Sequence, residues 1–488
     1  MSSEKPTQYR SILKGISLFG GVKVFEILIN LIRGKFVALF LGPEGMGVNA
    51  IFSNSPTTLS QLSSLGLNLA IAKEVAVRKE DKGKLQEIIE VTLRLTLLTA
   101  LAGGVVCVLF SAWLSELSFG TDAYRWQFML LGIAVFLFVS NGSRLAMLQG
   151  LHEVKRLSRA SLVGSVTGLL AGVPLYWLFG THGIVPAIII LALSLHIFYT
   201  VNLRKSVTGV SFRTFPAKLS LKGDTPLVKR LLSLGIILVA GDVIANICNY
   251  LLIIFVRESG GLDSVGLYQS SASVTNQMAS VVFAAMAMDY FPRLSACSAD
   301  NEAMMLTVNR QTEITTWVLL PLSLLLVAVS PLVISLLFTS EFEEAVPLLR
   351  LMSIGVLLKA LSIPMGYISI VKENKRLYFR MECIFANLLT LAALGGGYLL
   401  FGLDGLGWGM IAEQGTLIVV YYIVNRRLYD YRFSAGAARA LGAAIAGGAL
   451  ITAESLMADN TLRITAMAAT TVAAIGISIY MLRNILKA

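Results

Sequence analysis

Lys23, Glu26, Asn30 and Arg33 interrupt an otherwise apolar stretch, GGVKVFEILINLIRGK at residues 20–35. At 100° per residue the four positions fall within about 80° of one another and form one polar stripe on a helix. Cations beside an amide are suited to holding an anion, and the planar guanidinium fork of arginine suits bidentate contact with phosphate. Asp242, Asn246 and Asn249 form a second stripe, at i, i+4 and i+7 of a later apolar stretch.

Composition sets where these stripes must work. Of 488 residues, 56% are hydrophobic and 14% charged, with a mean hydropathy of +0.74. Apolar runs of about 20 residues, the length that crosses about 30 Å of hydrocarbon, recur along the chain, in contrast to the short alternating segments of a membrane barrel. We therefore expect an all-α polytopic membrane protein with about fourteen transmembrane helices. They fall near 14–40, 48–75, 90–118, 125–150, 158–180, 183–202, 230–256, 265–291, 312–338, 346–371, 380–402, 405–426, 436–457 and 462–483. Lys and Arg crowd alternate connections: Arg78 to Lys84, Lys155 to Arg159, Lys205 to Arg230, Lys372 to Arg380 and Arg426 to Arg432. An opposite connection carries Glu341, Glu343 and Glu344. The positive-inside rule then puts the basic side and both termini in the cytoplasm, and the net charge of +11 is mainly a topology signal. The polar start, MSSEKPTQYR, shows no removable signal peptide.

Other function classes find little support. Cys107, Cys248, Cys297 and Cys383 are scattered, as are His152, His182 and His196, so no metal site is expected from nearby ligands. No nucleophile constellation or phosphate-cradling glycine loop stands in a polar segment, which argues against an enzyme. Nucleic-acid binding would need a basic folded surface interleaved with aromatics, and the short loops leave no room for one.

The chain repeats itself. FVALFLGPEGMGV from Phe36 aligns with FVRESGGLDSVGL from Phe255 at a shift of 219, EVKRL at 153–157 with ENKRL at 373–377 at 220, and YWLFGTHG at 176–183 with YLLFGLDG at 398–405 at 222. Three matches in one order at nearly one shift indicate duplicated six-helix lobes, 1–204 and 230–430, joined by a basic linker at 205–229 and followed by two additional helices at 431–488. An even number of spans per copy gives both lobes the same hand, a parallel pseudo-twofold repeat about the membrane normal. The small-residue run GAARALGAAIAGGAL in the last section suits close helix packing.

Turning Lys23, Glu26 or Arg33 to lipid would cost about 2.5–3.5 kcal/mol each near the bilayer centre. The stripe should therefore face protein or water. The shift of 219 sets Lys23 opposite Asp242 and Asn30 opposite Asn249, so each lobe offers a polar first helix to a shared cleft. The competing reading is a Lys23–Glu26 pair that neutralises itself, which leaves Arg33 without a local partner. Arg144, which shares a face with Asn141, either lines the cleft or snorkels from a nearby cytoplasmic end. Lys359 and Glu413, near mid-span, bind substrate, carry a coupling proton or join a structural pair. Asp289 and Glu382 are expected to pair with Arg293 and Arg380.

LGPEGMG at 41–47, SSLGLNLAIAKEVA at 63–76 and VGLYQSSASVTNQMASVVFAAMAMDYFPRLS at 265–295 carry a family resemblance. The chain resembles the polysaccharide-transport branch of the multidrug/oligosaccharidyl-lipid/polysaccharide exporter superfamily, within it the Wzx-type flippases of O-antigen and enterobacterial common antigen. The two extra helices resemble the fourteen-span arrangement of the lipid II flippase. The resemblance implies movement of an undecaprenyl-diphosphate-linked oligosaccharide, for lipopolysaccharide biosynthesis, from the cytoplasmic to the periplasmic leaflet of the bacterial inner membrane by alternating access. Membrane lipids and polysaccharide polymerase and chain-length machinery are the implied partners. Arg33 and Lys23, with Arg144 as a third, would meet diphosphate. Asn30, Asn246 and Asn249 would meet polar groups, Glu26, Asp242 or Glu413 would tune the cavity's charge or bind a coupling ion, and Lys359 would line the cavity. Proton coupling, sodium coupling and purely substrate-driven movement are alternatives, and no other cofactor is expected. A lipid II flippase, a cation-coupled multidrug exporter, whose cleft should be net negative, and a non-transporting scaffold are the rival readings.

Overall fold

A computed structural model describes residues 5–207 and 225–487, with side chains from Val24 onward apart from 225–226, 233–239, 285, 287–288 and 486–487. Its helices are α1 (Lys5–Ser64), α2 (Leu67–Arg78), α3 (Lys82–Leu109), α4 (Ser111–Phe119), α5 (Arg125–Gly150), α6 (Val154–Phe179) and α7 (Ile184–Ser206). There follow α8 (Thr225–Ala296), α9 (Asn301–Ala328), α10 (Ser330–Leu337), α11 (Ala345–Val371), α12 (Lys375–Tyr378), α13 (Ala386–Tyr429), α14 (Ala435–Ser455) and α15 (Asn460–Lys487). No strand occurs among the described residues.

Nine stretches of the described residues are long and apolar enough to cross a bilayer. Three of them, Val154–Ser206, Ala240–Ala284 and Lys375–Tyr429, run to 53, 45 and 55 residues. A single crossing takes about 20 residues, so each is two crossings. Backbone breaks lie where the chain must turn: the 3₁₀ turn Gly180–Gly183, and Gly261 and Gly402 inside α8 and α13. Counted as pairs, these bring the nine to twelve. The 60-residue α1, broken at Gly42, lies outside these nine; it and α2 cover the two segments, 14–40 and 48–75, that the sequence assigns to the first two of fourteen crossings.

The duplication is visible in the backbone. Gly42 has φ 65°, ψ −169° and Gly261 has φ 79°, ψ 178°. Gly180 has φ 56°, ψ −135° and Gly402 has φ 61°, ψ −141°. Positive φ is available to glycine without a Cβ clash, so a turn built on it survives duplication only where glycine does. The caps repeat as well. Asp81 and Asp300, again 219 apart, each receive two backbone N–H groups, Gly83 and Lys84 in one copy and Glu302 and Ala303 in the other. The helices they open, α3 and α9, are both 28 residues long.

By packing, the chain divides into two compact units, Met1–Glu258 and Ser259–Ala488. The division falls inside α8, so the first crossing of the second sequence copy packs within the first unit, a different partition from the repeat boundaries at 205–229. In the first unit, Leu67, Ile71, Val75, Ile88, Met147 and Leu203 belong to a buried core shared by α2, α3, α5 and α7. Lipid removes most of the hydrophobic drive for helix association, leaving close packing of small residues to hold helices together. Gly104 of α3 and Gly132 of α5 illustrate this: a Cβ on either would meet the other's carbonyl oxygen at 2.9 Å. In the second unit Ala437, Ala440, Ala444 and Ile451 form a fully buried stripe on α14, the packing role expected of that small-residue run. Asn309 of α9 donates to the Arg432 carbonyl and accepts from the Tyr431 hydroxyl, tying α9 to the link between α13 and α14.

Candidate functional site

The first polar stripe lies on α1 before its break. Glu26 and Arg33 are half-buried and Asn30 is exposed, whereas Ile29 beside it is 6% exposed. Arg33 lies within electrostatic reach of the Tyr176 hydroxyl of α6, and Glu26 within reach of Tyr199 of α7. Among the described residues no carboxylate forms an ion pair with Arg33. The Lys23 side chain lies outside the described residues, so the Lys23–Glu26 pair does too.

The second stripe meets α1 after the break. Asn246 Nδ2 donates to Gln61 Oε1 at 2.8 Å and Asn249 Nδ2 to Asn54 Oδ1 at 3.2 Å. Asp242 and Asn249 are exposed, Asn246 partly so. The pairs 54–249 and 61–246 run in opposite senses, as two antiparallel helices require. The same seam continues in both directions. At one end Tyr250 Oη lies 2.9 Å from Ser55 Oγ and 2.5 Å from Ser118 Oγ, with Arg257 Nη2 donating to the Leu117 carbonyl. At the basic end the Glu74 carboxylate, 1% exposed, pairs with Arg78 and, at 2.8 Å, with Arg230. Asn54, Gln61 and Glu74 are the partners that sequence reasoning missed. Asn54 and Gln61 are seven residues apart and so share a helix face, but the surrounding SNSPTTLSQ is polar on every face and blurs the pattern.

Arg144 takes a place that neither expectation for it described. It is 2% exposed, donating from Nε to Thr200 Oγ1 at 2.9 Å and from Nη1 to the Ser140 carbonyl and hydroxyl at 3.0 and 2.5 Å. It neither snorkels nor opens onto a wall. Its guanidinium joins α5 to α7, beside Asn141, whose Oδ1 accepts from His196 Nδ1–H and whose Nδ2 donates to the Ala192 carbonyl.

In the second unit, Glu413 is 6% exposed and accepts from Thr390 Oγ1 at 2.6 Å. Lys359 stands within electrostatic reach of it, and Gln414 beside it accepts from Ser362 Oγ at 2.7 Å. The two mid-span charges that the sequence singled out are thus neighbours. Asp289 pairs with Arg293 at 2.9 Å as expected, but Glu382 forms no ion pair with Arg380 among the described residues and lies near the Tyr421 hydroxyl.

A family profile described as polysaccharide biosynthesis protein matches residues 36–347. The chain belongs to this family. The matched segment contains both glycine breaks of the first repeat match, Arg144 and the Asp242–Asn249 stripe; it begins just after Arg33. Among curated proteins, the chain is 23% identical to the lipid III flippases of Escherichia coli K12 and Shigella flexneri over 384 residues, 75% of this chain and 87% of each relative. Among solved structures it resembles the lipid II flippase MurJ in an inward closed conformation, at 12% identity and a TM-score of 0.72, covering 98% of this chain and 100% of that one. It also resembles an inward-facing multidrug resistance MATE transporter of the MOP superfamily, at 17% identity and a TM-score of 0.69, covering 83% and 94%. The fold is that of MOP-superfamily transporters.

For this member of the polysaccharide biosynthesis family, the arrangement in the first unit has definite chemical capacity. An intramembrane guanidinium without a carboxylate ion pair among the described residues, exposed Asn30 and a line of paired amides offer donors to phosphate and both donors and acceptors to sugar hydroxyls.

Proposed function

We propose that this chain is a flippase that moves an undecaprenyl-diphosphate-linked oligosaccharide from the cytoplasmic to the periplasmic leaflet of the bacterial inner membrane. The observation that carries this reading is Arg33: a half-buried intramembrane cation with no carboxylate ion pair among the described residues. A charge so placed costs several kcal/mol unless an anion or water meets it, and a phosphate-bearing cargo is such an anion. A diphosphate bearing sugars cannot enter hydrocarbon unaided, whereas its polyprenyl tail can remain there. The names of the relatives, lipid III flippase and lipid II flippase, support the same cargo class.

In this reading Arg33 and Lys23 hold the diphosphate, and Asn30, Asn246 and Asn249 hydrogen-bond the glycan. Arg144, already satisfied by Ser140 and Thr200, positions α5 against α7. Asp242 and Glu26 set the charge of the passage, and the Glu413–Lys359 neighbours hold a coupling proton or sodium. The basic connections and both termini face the cytoplasm. A multidrug exporter of the same fold would need a net negative wall for cationic cargo, which the first helix does not supply.

The test is lipid analysis of a strain lacking the protein. A polyprenyl-diphosphate oligosaccharide should accumulate, and its sugars identify the cargo as an O-antigen unit or another. Unchanged lipid pools with normal surface glycan would refute the reading.

A further inference from the structure

The basic ends of α6 and α7 flank a half-open groove of about 560 Å³ lined by Lys155, Arg156, Ser158, Arg159, Asn202 and Lys205. Its charge is lopsided. Glu153 pairs with Arg156 at 3.4 Å, and Arg156 also donates to Ser206 Oγ at 2.9 Å. Lys155, Arg159 and Lys205 form no ion pair among the described residues. Ser158 is the second observation: it is 3% exposed, lines the groove, and its Oγ has no hydrogen-bond partner among the described residues. A buried hydroxyl left without a partner is destabilising, so a ligand oxygen supplied here would recover something the fold gives up.

The walls say what the anion is attached to. Leu162 and Val163 complete the groove. From Val163 an exposed apolar stripe continues down α6 through Val166, Leu170 and Trp177, and a second runs along α7 through Leu193, Ile197 and Val201 to the groove's Asn202. A soluble anion would use the cations and ignore both stripes. An amphiphile would use both.

We propose that this groove is a headgroup site for an anionic glycerophospholipid, its phosphate held by Lys155, Arg159 and Lys205 with Ser158 donating from below, and its acyl chains lying along α6 and α7. The site uses none of the stripe residues and does not depend on the proposed cargo.

The full-length protein in neutral detergent is titrated with phosphatidylglycerol, with phosphatidylcholine and with inorganic diphosphate, and bound adducts are counted by native mass spectrometry. Phosphatidylglycerol should be retained over phosphatidylcholine. Arg159→Ala and Lys205→Ala should each weaken that retention about fivefold, the effect of one cation near an anionic headgroup. Arg159→Lys should restore most of it at an unchanged melting temperature, which separates loss of charge from loss of fold. Equal retention of the two lipids, or alanine variants that bind phosphatidylglycerol like the parent, would overturn the site. Displacement of phosphatidylglycerol by an equal concentration of inorganic diphosphate would overturn the lipid assignment in favour of a soluble phosphate.

Discussion

Gly42 and Gly261, 219 residues apart, break their helices with the same backbone geometry, φ 65° and 79° with ψ −169° and 178°. This region is occupied almost exclusively by glycine, and forcing another residue into it costs about 1–3 kcal/mol. Nothing lies within 4 Å of a Cβ added at Gly261, so the penalty there is conformational and not steric. Gly261→Ala and Gly42→Ala should each lower the unfolding free energy by about that amount. Gly415→Ala, also in open space but at a helical position, should be neutral or gain up to about 1 kcal/mol. Denaturant titration of the three variants checks the contrast, and a Gly261→Ala variant as stable as Gly415→Ala would contradict it.

Much of the architecture was legible because its cause is local. The glycine breaks sit inside the repeated motifs, and length alone divides a 53-residue apolar run into two crossings. The site was only half legible. One helix face shows in the spacing of Asp242, Asn246 and Asn249, but what that face meets depends on residues 185 and 195 positions away, Gln61 and Asn54. Arg144 shows the same limit from the other side. Its distance from a helix end is countable in sequence, but its burial depends on Thr200, which α7 brings to it.

Arg33 should matter to transport through its charge and its fork. A hydrogen bond to a charged group contributes about 1.5–3 kcal/mol, so Arg33→Ala should reduce export of lipid-linked oligosaccharide about 10- to 100-fold at equal expression. Arg33→Lys keeps the charge, loses bidentate geometry and should fall between. Export measured in membrane vesicles decides, and an alanine variant with parental rates would remove Arg33 from the cargo site.

Glu74 is 1% exposed between Arg78, 19% exposed, and Arg230, 57% exposed. Either arginine alone keeps the carboxylate paired, so single losses should be mild: at most about 1 kcal/mol for the exposed Arg230→Ala. Losing both strands a buried charge, for which about 3–5 kcal/mol is typical. The double variant should therefore cost more than the two singles together, with coupling of at least about 1 kcal/mol in a double-mutant cycle. Additive, small effects would mean that Glu74 finds water or another partner.

Acid should loosen the start of α3. The backbone N–H groups of Lys84 and Gly83 hold the Asp81 carboxyl below the ordinary carboxylate range. A depressed folded-state value means that this group's stabilisation is fully present above the unfolded value of about 3.9 and is lost as pH falls through the folded value. Asp81→Asn retains a capping side chain and removes the titration. Its stability should decline less steeply than the parent's below about pH 4, as followed by thermal unfolding across pH. Parallel acid limbs would show that Asp81 does not titrate with unfolding.

Water at the first stripe is the requirement on which cargo binding rests, and two adjacent positions test it. Asn30 is exposed and Ile29 is 6% exposed, and both lie far from the helix ends of α1. A cysteine at position 30 that faces a wet passage should react with a membrane-impermeant thiol reagent, while one at position 29 should not. Cys107, Cys248 and Cys383 are buried and Cys297 is partly so, and replacing all four with serine or alanine gives a clean background. Protection of position 30 by added polyprenyl diphosphate would tie the water to the cargo. If position 30 reacted no faster than position 29, Asn30 would face lipid tails instead of water, and the stripe would lose its role as a wall of the passage.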